Sequence, residues 1–446
     1  MATTFTTDQI LALAPDPASA KAGQGLSSPR KWMTLGQNDH AAWGKCQGSG
    51  KDPYQTQIDL SEPAFRCSCP SRKFPCKHGL GLFLLLANQP DVFTDSQQPD
   101  WVTEWLESRA KSSEKQTEKL AKKAETTKKT IADPAAQVRR ASDREAKVAA
   151  GFAELALRLR DLVRNGLASA QNHPANFWDN VAARMVDAQA PGVARLVRDL
   201  ATLPPTGQGW QEKLLARASK LFLLIEGFSR LNTLPPETQA DIRTVTGWAY
   251  SQDELLSQDG IRDRWAVLGQ RVEDEDRLRV QFSWLQGYET QRHALLLHFA
   301  AGNQPLDTSV VSGTVIDAEL VFYLSAYPLR ALVKTRNGTT STLDPLPQGR
   351  SVSEATTQYA DALAQNPWLE RIPVLLTEVV PVAVTDSHWC LQDTASRTLS
   401  IHPRFSQHWE LLALSGGHPT PLFGEWNGEY LLPLSVWANG RFVRFT

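Results

Sequence analysis

A chain of 446 residues, 41% of them hydrophobic, is long enough for two or three separate cores, because a single core stops growing at roughly 250–300 residues. The 47 Lys and Arg against 48 Asp and Glu leave a formal charge of −1, so the composition carries no bulk pull toward a polyanion or an anionic membrane. Five cysteines, three of them crowded between 67 and 76, exclude a disulfide framework and point to a reducing compartment.

The first residues, MATTFTTDQILALAPDP, lack the basic start and apolar run of a secretory signal. The greasiest stretch, GLGLFLLLA at 79–87, is about half of the ~20 residues needed to cross a bilayer. A soluble, cytoplasmic protein with no membrane partner is expected. Thr7 is placed to cap a short helix containing Ile10, Leu11 and Leu13, stopped by Pro15 and Pro17, with a loop running on to about Lys31. From Tyr54 the chain alternates, with Tyr54, Thr56, Ile58 and Leu60 on one side, which predicts a half-buried strand. A second extended segment, PAFRCSC, follows the turn at Glu62 and Pro63.

Residues 107–134 are rich in Lys, Glu, Thr and Ala and nearly devoid of large apolar residues, the composition of a charged linker or an exposed helix that separates two domains. Over 135–260 the apolar residues step by three and four. Val148, Phe152, Leu155, Leu159 and Leu162 form one stripe, and Trp210, Leu214, Ala218, Leu221, Ile225 and Phe228 another. With helices also expected at 177–188 and 193–203, and Pro-rich breaks between, the region reads as a bundle of short antiparallel helices. From 261 to 446 the period shifts toward two, as in Leu278, Val280, Phe282 and Trp284, and a β-rich domain is expected. Asn337-Gly338, Asn427-Gly428 and Asn439-Gly440 are the dipeptides that tight hairpins favour. No internal repeat is visible.

The chemistry concentrates in FRCSCPSRKFPCKHG. Cys67 and Cys69 stand two apart, so an extended backbone points both thiols one way. Cys76 and His78 repeat that step after six residues containing Pro70, Ser71 and Pro75, enough chain to bring the second pair opposite the first. Three thiolates and an imidazole fill a closed tetrahedral Zn²⁺ site with no position left for water. A helix is expected just past His78, its N-terminal dipole near the thiolates, with Arg72, Lys73 and Lys77 adding to that field. An iron–sulfur cluster would call for four cysteines at CxxC spacings. Cys46 lies outside a set that is already complete and is read as a loop or core residue, and Cys390 as packing. The pairs His402/His408 and His293/His298 have no thiols or carboxylates at ligand spacing, and there is no GxxxxGK[ST], GxSxG or HExxH motif. No enzyme is expected.

This C-x-C-x₆-C-x-H string, preceded by a strand and followed by an apolar helix, resembles the SWIM-type zinc finger over about residues 54–90. Its pattern CxCxₙCxH matches Cys67, Cys69, Cys76 and His78. The wider context also resembles a group of bacterial SWIM proteins of similar length. The resemblance implies one structural zinc ion and a role in contacts to proteins or DNA. Genes of the similar bacterial proteins often lie near those of MoxR-type AAA ATPases and von Willebrand A-domain proteins, which implies such partners. The expected architecture is α+β and multidomain: a SWIM domain built as a β-hairpin plus helix (1–106), a linker (107–134), a helical domain (135–260) and a β-rich domain (261–446). The functional expectation is a zinc-dependent protein–protein adaptor. The alternative is a nucleic-acid-binding protein using Arg66, Arg72, Lys73 and Lys77, backed by Lys45, Lys51 and the linker lysines, with Trp32 and Trp43 stacking on bases.

Overall fold

The computed structural model describes residues 5–48, 52–111, 134–172, 176–203, 209–248, 250–275, 278–302, 304–385 and 388–445. The chain opens with helix α1 (Thr7–Leu11), capped by Thr6 rather than Thr7, because the Thr6 side chain accepts the Gln9 N–H while the Gln9 side chain returns to the Thr6 N–H. Pro17 starts a helix instead of breaking one. It occupies the first turn of α2 (Pro17–Gln24), where its missing N–H costs nothing, and Asp16 caps that helix through the Ser19 N–H.

Four strands follow, β1 (Trp32–Gln37), β2 (Ala41–Cys46), β3 (Tyr54–Asp59) and β4 (Ala64–Cys67), joined as an antiparallel sheet in chain order. The hairpin expected from the sequence is therefore half of a larger sheet. Helix α3 (Lys77–Asn88) covers one face, packing Leu82, Phe83 and Leu86 against Trp32, Ala42, Ile58 and Phe65. Helix α2 lies across α3 where Gly23 meets Leu80 and Gly81 meets Leu26. A Cβ on either glycine would sit 2.8 or 2.6 Å from its neighbour. Helix α4, described over 100–111, covers the other face with Val102 against Ala41 and Trp43. This makes β3 buried on both sides rather than one, and Gln57 reaches the Trp101 carbonyl. Of the charged stretch 107–134, residues 107–111 are helical within α4 and 112–133 lie outside the described residues.

The helical region comprises α5 (Pro134–Arg164), α6 (Phe177–Asp187), α7 (Pro191–Ala201), α8 (Trp210–Ser229) and α9 (Pro236–Thr246). At 31 residues α5 is not short, but both stripes read from the sequence are buried in one core with Trp178, Met185 and Val197. The short α10 (Gln252–Leu256) leads into the strands.

The C-terminal region is β-rich, as expected, and its strands form two closed rings. Strands β5 (Ile261–Glu275), β6 (Leu278–Gly287), β7 (His293–Ala301), β8 (Thr314–Phe322) and β9 (Arg330–Thr342) close in the order β5-β6-β7-β9-β8. All pairs are antiparallel except β7 with β9. After α11 (Val352–Gln365) the plan repeats with β10 (Ile372–Thr385), β11 (His388–Asp393), β12 (Thr398–Ile401), α12 (His408–Ser415), β13 (Thr420–Trp426) and β14 (Tyr430–Ala438). Here β10 pairs with β11 and β13, β11 with β12, and β13 with β14, all antiparallel, and β12 closes the ring on β14 in parallel. In each ring the fourth strand lies beside the first, the Greek-key order. A last strand, β15 (Arg441–Arg444), pairs with β14 through a turn in which Asn439 and Gly440 both take positive φ, as the dipeptide predicts. Gly428 also turns a hairpin, at φ 91°. Asn337-Gly338 does not: it sits inside β9 at a register shift, where Gly338 at φ 65° forms a bulge.

The barrels pack through Leu268 and Trp284 of the first and Leu375, Phe423 and Leu434 of the second. At that seam buried Glu425 accepts from Trp284 Nε1 at 2.6 Å, Arg271 Nε at 2.7 Å and an Arg371 guanidinium nitrogen at 3.0 Å. The bundle joins the second barrel through Trp368, which packs on the helical core and donates to the Lys220 carbonyl, and through the ion pairs Arg195–Glu370 and Lys213–Glu429. Among the described residues no helix is long and apolar enough to cross a membrane.

Candidate metal centre

The four ligands come from two elements and the loop between them. Strand β4 delivers Cys67 as its last residue, and Cys69 follows two positions on. Cys76 is the N-cap of α3, extended at φ −76° and ψ 165°, and its Sγ accepts the Gly79 N–H at 3.5 Å in the manner of a capping oxygen. The helix starts two residues earlier than expected, at Lys77, so His78 lies within the first turn rather than before it. Apolar packing of the rest of α3 against the sheet fixes where this turn points.

The Sγ atoms of Cys67, Cys69 and Cys76 and a ring nitrogen of His78 lie within 4.8 Å of one another, with Cys76 and His78 buried and the other two half-buried. Cys67 Sγ stands 3.7 Å from His78 Nδ1. Zinc at its usual distances from sulfur and nitrogen sets that tetrahedral edge at about 3.6 Å. The donor set and its spacing therefore fit Zn²⁺. Without metal the thiols share protons: Cys67 is pushed well up because it donates to Cys76 and is buried beside that charge. Cys76 is pulled down by the same bond, helped by His78 and the Gly79 N–H. Burial raises Cys69.

Three groups not singled out in the sequence complete the surroundings. The Thr56 hydroxyl, on β3 directly across from Cys67, lies 3.2 Å from its sulfur and donates to it as a thiolate. The Tyr54 ring lies 5.0 Å from that of His78, and the Gly79 N–H holds Cys76. Their signal was present in the alternation that puts Tyr54 and Thr56 on one side of β3. Cys46 is buried in the core beside α3 and is not part of the ligand group; burial raises its thiol, and Lys77 acts on it.

The basic residues expected around the centre are divided by the fold. Arg66 pairs across from Gln57, so it projects from the α4 face of the sheet, opposite to Cys67. Lys73 is bound to Asp16 at 2.8 Å and holds that carboxyl down at about 2. Arg72 and Lys77 are exposed. Trp32 and Trp43 are buried, one on each face of the sheet, and are core residues rather than stacking platforms. His408 stacks on Trp389, and His402 accepts the Arg404 N–H through Nδ1.

Residues 54–87 match the SWIM zinc finger family, and residues 143–246 match the family described as the SWIM-associated four-helix bundle domain. No curated protein and no solved structure matches the chain. The second matched segment begins inside α5 and ends with the last residue of α9, so it coincides with the buried helical core. Motif, ligand geometry and both matched segments agree: the chain carries a SWIM zinc finger, with a Cys₃His group able to bind one zinc ion, followed by the helical bundle domain associated with that finger.

Proposed function

We propose that the chain is a non-catalytic, cytoplasmic adaptor that presents a rigid surface to a protein partner, with zinc holding its N-terminal module in shape. The observation that carries this reading is Trp409. It is the one exposed tryptophan among 14, with 72% of its surface open on α12. It is also held upright, edge-on to buried Trp389 at 5.0 Å. A rigid exposed tryptophan is the residue type that dominates binding energy at protein interfaces. The partners that the resemblance points to are an AAA ATPase and a von Willebrand A-domain protein. Tagged full-length wild type and Trp409→Ala, captured from the native host, test this. The wild type is expected to enrich such a protein and the variant to lose it by about tenfold or more. Recovery of bait alone in both would reject the adaptor.

A nucleic-acid role keeps support from Arg72 and Lys77, exposed beside the ligands. It requires DNA or RNA binding at low salt whose affinity drops steeply as salt is added, and flat fluorescence titrations would remove it.

A further inference from the structure

The two barrels are closed at one end by different means. In the second, the connection between its third and fourth strands is α12, which inserts Leu411 into the barrel core. In the first, the described residues 304–313 of the equivalent connection form no helix. Its neighbouring valines divide between two cores. Val310 joins Trp265, Ile316 and Ala331 inside the barrel, while Val311 joins Phe5, Ile10 and Phe83 of the zinc-finger module.

Hydrogen bonds follow the same division. Gln9 Nε2 donates to the carbonyls of Ser312 and Gly313 at 3.0 and 2.9 Å. On the other side of the module, the turn between β3 and β4 is held by the barrel: Thr308 donates to the Pro63 carbonyl at 2.7 Å and Thr340 to that of Ser61 at 3.3 Å. Arg336, nearly buried, donates to the Ser309 carbonyl and faces Glu62 at 3.9 Å.

Both contacts trace back to the ligands. Helix α3 begins with Cys76 and His78 and presents Phe83 to Phe5, ring centres 5.1 Å apart, beneath α1 and its Gln9. Strand β4 begins at the docked turn and ends on Cys67. We infer that the zinc finger is the end cap of the first barrel, taking the place that α12 fills on the second, so that metal at Cys67, Cys69, Cys76 and His78 sets the order of the barrel's 307–313 segment. The finger's docked turn and α1 are thereby engaged inside the chain, which leaves the opposite, ligand-bearing end for outside contacts. This goes beyond the adaptor reading and does not depend on it.

Hydrogen exchange on the full-length chain tests the cap, with zinc content measured on the same samples. Chelation is expected to speed exchange in 307–316 by about tenfold or more together with 54–88, while 405–416 around α12 keeps its protection. Protection that persists in 307–316 after the metal has left and 54–88 has opened would overturn the inference. Val311→Asp leaves all four ligands in place and is expected to keep its zinc yet expose 307–316. Should that variant fail to fold, Gln9→Ala is expected to do the same more mildly, and unchanged exchange in 307–316 would again overturn the cap. A purified chain that never binds zinc would defeat the metal half of the inference, and the Val311 and Gln9 arms then decide the capping half alone.

Discussion

The first barrel and the second share strand order, pairing directions and one parallel closure, yet they differ in what finishes them. The second is completed from within, by a helix a few residues away in sequence. The first is completed from about 300 residues away, by a module whose own order depends on four ligands. Topology therefore does not fix where a barrel's stability comes from: the same ring is self-sufficient in one copy and coupled to a metal in the other.

The strongest way to break that comparison is to remove the ion. Structural zinc contributes on the order of 10 kcal/mol to the segment it folds. Cys67→Ser is expected to abolish zinc binding and to shift the unfolding of the finger and first barrel to lower temperature in calorimetry, leaving the transition of the second barrel and bundle in place. A single transition that moves as one would show that the barrels are not separable. Acid should act in the same sense. While the empty site keeps its folded shape, Cys67 and Cys69 are raised and stay protonated at neutral pH, and Cys76 is lowered and ionised. Zinc then displaces about two protons from that folded site, and about three from an opened one whose thiols are all protonated, so its affinity rises with pH and falls by about a hundredfold or more for each unit of acidification near neutrality. Calorimetric titrations in buffers of different ionisation enthalpy count those protons, and a count near zero contradicts the shared-proton arrangement.

Smaller effects test the seam and the other cap. Glu425→Ala leaves buried Arg271 with the partly exposed Glu273 as its counter-charge and takes the acceptor from Trp284, a loss expected at about 3 kcal/mol in urea unfolding. Leu411→Ala empties a fully buried site under α12 and is expected to cost roughly 3 kcal/mol. Exchange should rise around β10 and β14 with zinc content unchanged. If Leu411→Ala loosened the first barrel as much as the second, the independence of the two caps would fail.

The metal centre was legible because every ligand falls within 12 consecutive positions and strand and helix periods on either side are local signals. The same is true of the helical stripes and the turn at Asn439 and Gly440. Strands β1 and β2 were not legible. In Ala41–Cys46 both faces are covered by helices, so AAWGKC shows no alternation. Pro17 looks like a stop in the sequence because a proline that breaks a helix and one that opens it are told apart only by the cap before it. Asn337-Gly338 satisfies positive φ equally in a hairpin or a bulge, and the partner strand decides. The duplication of the barrels lies in pairings between distant strands, β5 with β8 and β10 with β13, which no local period encodes.

The finest test concerns how β3 tunes the centre. Thr56 is fully buried, and its hydroxyl stands across the sheet from Cys67 with the sulfur 3.2 Å away. A hydrogen bond to a ligating thiolate spreads its charge and fixes its direction, and losing such an outer contact costs 10- to 100-fold in metal affinity in comparable sites, of which about tenfold is expected here for a single neutral donor. Thr56→Val keeps the β-branched outline and strand preference while replacing the hydroxyl donor by a methyl group. Competition with a chromophoric chelator should therefore show weaker zinc binding in a chain whose exchange in 307–316, once loaded, matches the wild type. An affinity equal to the wild type would mean that Thr56 serves only to fill the space beneath Cys67.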